Sequence, residues 1–381
     1  MGDRRVVTLD GLRGLMTVAV VLSHYFGEVL NGLSAVMFGW IAVVMFFVLS
    51  GFLIGKLILE RQHHANFFTV FYVRRFCRII PAYVATVLFI TVLLYFVEDP
   101  WSDADTRFPL WSYLAFVQGF FMIATQSIGA HWLAPTWTLA VEEHFYLFAP
   151  ALMVFTPRRW LVPALLAVVA SSLLLRLAVF FAGFGHPWTA LVLLPGRADI
   201  LACGLLAAVA VKTEGVPWHR LLPALRVAPL VSMIAATLLF PVSENLFQVL
   251  APLVIGAGCA AYLLCIFHNA PEARSYHSNW LQFIGNNGYC IYLVHLPILG
   301  LAHGLVLGSR PDLATPSQWI VTAVALPTCI LVGWAMTKSV EEPLTRYGRS
   351  WGWSSQSRCS SPRLPVNAAA HKPGYELGGP R

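Results

Sequence analysis

Three polar residues interrupt the first apolar segment of the chain. The segment has the sequence LDGLRGLMTVAVVLSHY and contains Asp10, Arg13 and His24. On a helix, Arg13 and His24 share roughly one face, and a rise of 1.5 Å per residue separates them by about 16 Å. A neutral histidine can accept a proton from a hydroxyl, as a general base does. The segment therefore predicts proton transfer at His24, with a histidine that only hydrogen-bonds a neighbouring helix as the alternative.

A second pattern places two arginines three residues apart. The segment FFTVFYVRRFCRIIPAY carries Arg75 and Arg78, which share a face if the segment is helical. The planar fork of a guanidinium binds phosphate oxygens in a bidentate way. The pair predicts a binding site for a phosphate-bearing ligand, and the alternative is an ordinary basic loop of a membrane protein.

Two adjacent carboxylates lie in the segment PTWTLAVEEHFYLFAP, at Glu142 and Glu143. Neighbouring helical residues point about 100° apart, so we expect only one of them to face the bundle interior. We expect Glu142 to contact His24 and stabilise its imidazolium form; the alternative is a carboxylate in water at the membrane interface. His144 is expected at the interface.

Charged and polar residues in membrane segments are costly and often functional. The segment PGRADILACG contains Arg197 and Asp199, which we expect to compensate one another or partners elsewhere, either at a site or as a structural ion pair. His295 ends the segment GNNGYCIYLVH and is a candidate to share the cavity of His24. Arg176 is expected to extend towards the membrane surface.

These residues lie within or beside ten apolar segments. A transmembrane helix needs about 20 apolar residues, and 58% of the 381 residues are hydrophobic. Backbone groups in lipid must bond within their own segment, so each segment should be helical. The sequence predicts an all-α, polytopic transmembrane helix bundle. The predicted spans lie near 10–30, 34–57, 79–97, 137–156, 160–182, 188–211, 227–242, 246–267, 281–308 and 317–337.

The lysines and arginines predict the orientation of this bundle. They cluster in alternate loops, whereas the other loops are acidic or nearly neutral. Positively charged loops stay in the cytoplasm, so we expect both termini to be cytoplasmic and the protein to lie in the cytoplasmic (inner) membrane. An eleventh span at 110–128 would invert every later loop, so we interpret that stretch as interfacial or re-entrant. The net charge of +7 belongs to these loops, and no nucleic acid partner is expected.

The chain is predicted to contain one transmembrane domain, residues 1–349, followed by a disordered cytoplasmic tail, residues 350–381, rich in Ser, Pro and Gly. The seven cysteines form no CxxC pair, and most lie in apolar runs, which is typical of buried thiols. The spacing of His, Cys, Asp and Glu predicts no metal site, and no GxSxG or phosphate-binding loop is present.

Several of these stretches occur together, in this order, in one known family. The chain resembles acyltransferase family 3, a family of membrane O-acyltransferases that act on polysaccharides, Nod factors and macrolides. The resemblance covers roughly residues 7–349. The stretches that carry it are LDGLRGLMTVAVVLSH, FFVLSGFLIG, FYVRRFCRIIPAY, PTWTLAVEEHFYLFAP, GRADILACG, FIGNNGYCIYLVHLP and VEEP.

The resemblance implies a bundle of about ten helices that moves an acyl group, expected to be acetyl, from cytoplasmic acyl-CoA to a hydroxyl. The expected acceptor is a carbohydrate, a lipid-linked sugar or a macrolide; acyl-CoA is a co-substrate, and no bound cofactor is expected. The chain departs from the family at Ala140 and His144, where relatives often have Ser and Gln. The candidate catalytic residues are Arg13, His24 and Glu142, and the candidate substrate-binding residues are Asp10, Arg75, Arg78, Arg197, Asp199 and His295.

A transporter or flippase for a lipid-linked sugar or an acyl donor is the alternative from another functional class. Charges within the membrane also mark transport paths, and many transporters contain inverted repeats. The sequence shows no clear internal repeat, and the family motifs favour the enzyme.

The predicted orientation can be tested with topology reporters. Fusions at Pro100 and Pro311 should report an external location, and fusions at His64 and Ser354 a cytoplasmic one, because the basic loops are retained inside. Reporter activity in intact cells measures this. An external signal at Ser354 would contradict the ten-span arrangement.

Overall fold

Every regular element that the structure describes is helical. The computed structural model describes residues 2–27, 33–96, 106–183, 191–239, 243–268 and 271–354, and no strand occurs within these ranges. The helices are α1 Gly2–Tyr25, α2 Leu33–Arg61, α3 Phe67–Leu93, α4 Leu110–Leu114, α5 Gln118–Thr125, α6 Thr136–Phe155, α7 Arg158–Phe181, α8 Leu194–Lys212, α9 Trp218–Leu239, α10 Glu244–Phe267, α11 Asn279–Leu307, α12 Pro316–Met336 and α13 Glu342–Ser350.

Nine helices in the described ranges are long and apolar enough to cross a membrane. They correspond to α2, α3, α6 to α11, and α12 continued through α13. Helix α1 has 24 residues but is not among the nine. Its Asp10, Arg13 and His24 lower its hydropathy, although it packs along α11 for much of its length. The polytopic all-α bundle predicted from the sequence is confirmed.

The third helix begins earlier than predicted. We expected a span from residue 79, but α3 starts at Phe67 and continues without a break through Arg75 and Arg78. Apolar residues such as Phe67 and Phe71 are buried on one face of this first part. The arginines therefore belong to a packed helix, which fixes their direction.

Residues 110–128 form two short helices rather than a span. Helices α4 and α5 contain 5 and 8 residues, which is too short to cross the membrane. Phe116 between them and Gln126 after them have φ angles of 59° and 53°, values that interrupt a right-handed helix. The structure agrees with the interpretation of this stretch as non-spanning.

The residues that follow α13 contact the start of α3. Helix α13 extends to Ser350, and the next residues are attached to the start of α3. Arg74 Nη2 donates a hydrogen bond to the carbonyl of Trp351 at 2.7 Å, and the Trp353 ring stacks on Phe67 with centroids 6.1 Å apart. The prediction of disorder from residue 350 is wrong for 350–354, and residues 355–381 lie outside the described ranges.

Glycines bring α1 and α11 into direct backbone contact. A Cβ atom added at Gly14 would overlap the carbonyl oxygen of Leu281, and one at Gly285 would overlap that of Asp10. One turn further along, a Cβ at Gly288 would lie 2.6 Å from Thr17 Oγ1. Small residues allow such close approach between membrane helices. Gly51 of α2 and Gly204 of α8 form a second contact of this kind.

Alanine at Gly285 should therefore disrupt the bundle. Its methyl group has no space against the α1 backbone, so Gly285→Ala should lower the thermal unfolding temperature and abolish activity. Gly256→Ala in α10 is the matched control, because its added Cβ would lie 3.5 Å from Ile200 in ordinary contact. Fluorescence-detected unfolding in detergent measures both variants, and equal unfolding temperatures would contradict the prediction.

Candidate active site

A large cavity opens among α1, α2, α3, α6, α11 and the segment that follows α12. It contains about 1060 Å³ of empty space, counting its open mouth, and combines an apolar wall with a set of polar groups, as ligand sites do. Its apolar wall comes mainly from α2. Its polar lining residues are Arg13, Thr17, Ser50, Arg75, Arg78, Thr138, Glu142, Tyr146, Asn286, Tyr289, Tyr292 and Glu341.

Three arginines line one part of this cavity. Arg13 Nη1 donates to Asp10 Oδ1 at 2.8 Å, so Asp10 orients Arg13. Among the described residues, no carboxylate lies within ion-pair distance of Arg75 or Arg78. The Arg75 guanidinium lies over the Tyr146 ring, 5.3 Å from its centroid. The structure thus brings together the arginines that the sequence predicted, with two of them available to an anionic ligand.

A chain of three side chains lies beside the arginines. Ser50 Oγ is 2.6 Å from the Tyr146 hydroxyl, which donates to Glu142 Oε2 at 3.2 Å. Because Tyr146 has a single hydroxyl proton and donates it to Glu142, Ser50 must donate to Tyr146. The sequence analysis missed Ser50 and Tyr146, although both lie within motifs that carry the family resemblance.

Glu142 does not contact His24, contrary to our expectation. It lines the cavity with the arginines because α6 begins inside the bundle rather than at its outer surface. Gln118 of α5 donates to the Thr136 carbonyl at 3.0 Å, and both residues are buried. The non-spanning helices therefore pack against the first turn of α6.

Glu341 is a cavity residue that the sequence analysis did not select. It ends a π-helical segment, Thr337–Glu341, between α12 and α13. Such turns often occur at functional sites. The Cys290 thiol donates to Glu341 Oε2 at 3.3 Å, and Glu341 is 8% exposed. The VEEP motif contains this residue and was the available signal.

His24 and His295 form a pair beyond the cavity. His24 Nδ1 lies 3.2 Å from His295 Nε2, and the ring centroids are 4.9 Å apart. His295 is fully buried, whereas His24 is accessible from outside the bundle. The expectation that these histidines share a site agrees with this geometry.

Tyr292 separates the cavity from the histidine pair. It lines the cavity, and its ring centroid lies 5.4 Å from that of His295. Its hydroxyl is 2.9 Å from the Pro135 carbonyl and 2.8 Å from Thr138 Oγ1. One tyrosine therefore contacts both the arginine-lined cavity and the histidine pair.

Asp199 is paired with Arg176 and not with Arg197. Arg176 Nη2 donates to Asp199 Oδ2 at 2.6 Å, and both side chains are buried. Arg176 also donates to the carbonyls of Gly196 and Val249 at 2.6 and 2.8 Å. The expectation that Arg176 extends to the membrane surface is wrong, because its guanidinium is held between three helices. Asp199 is thus part of a buried structural ion pair.

Arg197 lies between two indole rings. Its guanidinium carbon is 4.7 Å from the Trp40 ring centroid and 5.4 Å from that of Trp137. Nε donates to the Leu191 carbonyl at 3.1 Å, and buried Nη1 has no partner among the described residues. Aromatic faces favour a buried guanidinium. Arg197 does not line the cavity, so its assignment to substrate binding stays a prediction.

Comparison with known proteins identifies the family. A family model described as an acyltransferase domain, the model of acyltransferase family 3, matches residues 6–338. The chain belongs to acyltransferase family 3. No solved structure matches it. The matching family model describes an acyltransferase domain, and several relatives are named O-acetyltransferases. Nothing in these comparisons supports a transporter.

Two curated relatives illustrate the family. The chain is 28% identical to the peptidoglycan O-acetyltransferase OatA of Listeria monocytogenes over 90% of its own length and 56% of that protein. It is 26% identical to the acyltransferase MdmB of Streptomyces mycarofaciens over 90% of its length and 92% of that protein. The chain thus spans only about half of the peptidoglycan enzyme but nearly all of the second relative.

Proposed function

We propose that this protein transfers an acetyl group from cytoplasmic acyl-CoA to a hydroxyl of a carbohydrate-containing or related acceptor, in the cytoplasmic membrane. The observation that carries this proposal is the arginine-lined cavity, one of whose lining residues, Tyr292, adjoins the histidine pair. This arrangement provides one site for an anionic donor and a separate site for proton transfer.

The donor is assigned by the charge of the cavity. Acyl-CoA carries phosphates, and guanidinium groups bind phosphate oxygens through paired hydrogen bonds. Arg75 and Arg78 lack an ion-pair partner among the described residues, so a donor need not displace a carboxylate from either. The apolar wall formed by Phe47, Leu53 and Ile54 suits the uncharged remainder of the donor.

The reaction follows from the chemistry of His24. As an acceptor hydroxyl attacks the thioester carbonyl, His24 takes its proton, the carbon–sulfur bond breaks and the thiolate leaves. The proton then passes to the thiolate. In this scheme Glu142, together with Tyr146 and Ser50, acts at the donor cavity rather than on His24. A transfer in two steps through an acyl-enzyme is the alternative route.

The acceptor class is inferred from the relatives. One relative is named a peptidoglycan O-acetyltransferase, and the family also includes macrolide acyltransferases. Both kinds of acceptor present hydroxyl groups on sugars or related rings. We therefore assign a hydroxyl of a carbohydrate, a lipid-linked sugar or a macrolide as the acceptor, approaching from the side of His24.

Removing a cavity arginine should weaken donor binding. Arg75→Ala should lower acyl-CoA affinity by about tenfold or more, since one hydrogen bond to a charged group contributes about 1.5–3 kcal/mol. Arg75→Lys should restore only part of it, because an ammonium cannot form the bidentate fork. Binding of acyl-CoA to detergent-purified protein measures this.

The exposed Arg158, which does not line the cavity, provides the control for that experiment. Arg158→Ala should bind acyl-CoA like the parent. Equal affinity in Arg75→Ala and the parent would remove Arg75 from the donor site.

Removing the imidazole of His24 should stop acyl transfer. His24→Ala should fold and bind acyl-CoA normally but lose about 10²–10⁴-fold in rate, the usual contribution of a general base. Membranes matched for protein amount are supplied with isotope-labelled acetyl-CoA, and mass spectrometry of acceptors measures the transferred label. His219→Ala, which alters an exposed histidine far along the chain, is the control. More than about a tenth of parental activity in His24→Ala would exclude His24 as the base.

A further inference from the structure

We infer that His295 is a positioning residue for His24: its neutral ring accepts the Nδ1 hydrogen of His24, which leaves Nε2 of His24 as the proton acceptor. This inference rests on the proposed function, since it specifies how the proton-transfer site of that reaction is assembled. It replaces the assignment of His295 to substrate binding.

The protonation of His295 follows from its hydrogen bonds. Its Nδ1 lies 2.5 Å from the carbonyl oxygen of Tyr292, and a carbonyl can only accept. Nδ1 of His295 therefore carries the hydrogen, and in a neutral imidazole the other nitrogen, Nε2, has a lone pair. Within the described residues no carboxylate bonds to this fully buried ring, and an unpaired buried charge is costly. His295 is therefore a neutral hydrogen-bond acceptor at Nε2.

The protonation of His24 follows in the same way. Its Nδ1 is 3.0 Å from the Val20 carbonyl and 3.2 Å from Nε2 of His295. Both neighbours are acceptors, so Nδ1 carries the hydrogen and shares it between them. The lone pair of the neutral ring is then on Nε2. No hydrogen bond within the described residues involves that nitrogen, and the ring is accessible.

Backbone contacts hold the two rings at this distance. The Tyr25 hydroxyl, on the residue after His24, donates to the carbonyl of His295 at 3.0 Å. The helices that carry the histidines are the glycine-packed pair, with Gly288 against Thr17. The position of the pair is thus determined by helix packing and by one tyrosine, and requires no ligand.

Positioning matters at the moment of proton transfer. When an acceptor oxygen bonds to the acyl carbon, its proton moves to Nε2 of His24 and the imidazolium charge extends to Nδ1–H. A hydrogen bond from a charged donor is about twice as strong as a neutral one, so the contact to Nε2 of His295 strengthens. The carbon–sulfur bond then breaks, the CoA thiolate leaves, and the proton on Nε2 passes to it. His295 keeps its own proton throughout.

A neutral acceptor suits this place in the membrane. A carboxylate beside His24 would stabilise the imidazolium more, but in the absence of a cation it would be an isolated buried charge. Imidazole provides the oriented lone pair without that cost. This explains why the expected partner, Glu142, can lie with the arginines while His24 is still oriented.

Two substitutions distinguish positioning from packing. In His295→Gln the amide can place an acceptor near the former Nε2, whereas in His295→Asn the shorter side chain reaches only the former Nδ1. Both should bind acyl-CoA like the parent. We expect kcat to fall by less than about tenfold in His295→Gln and by about 100-fold in His295→Asn, the low end of a general-base contribution, with KM for the donor unchanged.

A spectroscopic measurement tests the inference independently of activity. In protein labelled with ¹⁵N in its histidine rings, and assigned with His24→Gln, His24 should show a protonated Nδ1 and an unprotonated Nε2. In His295→Asn this preference should weaken. A His24 protonated at Nε2 in the parent would overturn the inference, as would equal kcat in His295→Asn and the parent.

The controls separate this inference from the proposed function. If both variants lose activity together with thermal stability, His295 is a packing residue and the inference fails. If KM for the donor rises while kcat is unchanged, His295 is a binding residue and the inference also fails. If the parent protein transfers no acetyl group but its His24 shows the stated ring protonation, the proposed function fails and the histidine geometry stands. If the parent protein transfers acetyl groups but its His24 is protonated at Nε2, the proposed function stands and the inference about His295 fails.

Discussion

The direct backbone contact between α1 and α11 is the constraint on which the rest of the structure depends. Gly14 and Gly285 remove the side chains that would hold the two helices apart. Their contact sets the distance between the histidines, one on each helix, and brings Arg13 and Asn286 to the lining of one cavity. In lipid the hydrophobic effect does not drive helices together, because lipid tails are as apolar as the side chains. Van der Waals packing of small residues drives the association of α1 with α11 instead.

The resulting site places the charged side chains and the histidine pair in separate, neighbouring positions. The arginines and the carboxylates of Glu142 and Glu341 line one cavity, which also has an apolar wall. The histidines lie next to Tyr292 and outside the lining of that cavity, and within the described residues no carboxylate bonds to either ring. A donor with charged phosphates and an uncharged thioester matches this arrangement, because its phosphates can remain among the arginines.

The sequence predicts the helices well because a membrane imposes a simple rule on each segment alone: length, apolarity and an internally bonded backbone. The sequence misplaces the start of α3, because the arginines on one face lower the apolarity of a helical stretch whose other face is buried. The pairing of Arg176 with Asp199 could not be predicted, because a partner on another helix depends on how those helices are aligned.

The same distinction applies to the site. Arg75 and Arg78 were predicted from their spacing along one helix, and they do line a common cavity. Glu142 was assigned to the wrong partner because its neighbours depend on where α6 begins and on which helices pack around it. That depends on two short helices, α4 and α5, whose breaks at Phe116 and Gln126 follow no clear sequence signal. His295 was selected, but its role depends on hydrogen bonds to main-chain carbonyls that no sequence pattern specifies.

The buried ion pair has a consequence for biosynthesis. Arg176 is made 23 residues before Asp199 and 73 residues before Val249, which supplies a second hydrogen-bond acceptor. An arginine costs about 2.5–3.5 kcal/mol at the centre of an inserting membrane helix, and less near the end, where Arg176 lies. Helix α7 therefore leaves the ribosome with a charge that it cannot neutralise by itself. Its stable placement awaits α8 and α10, so this half of the bundle must assemble in the membrane as a group rather than helix by helix.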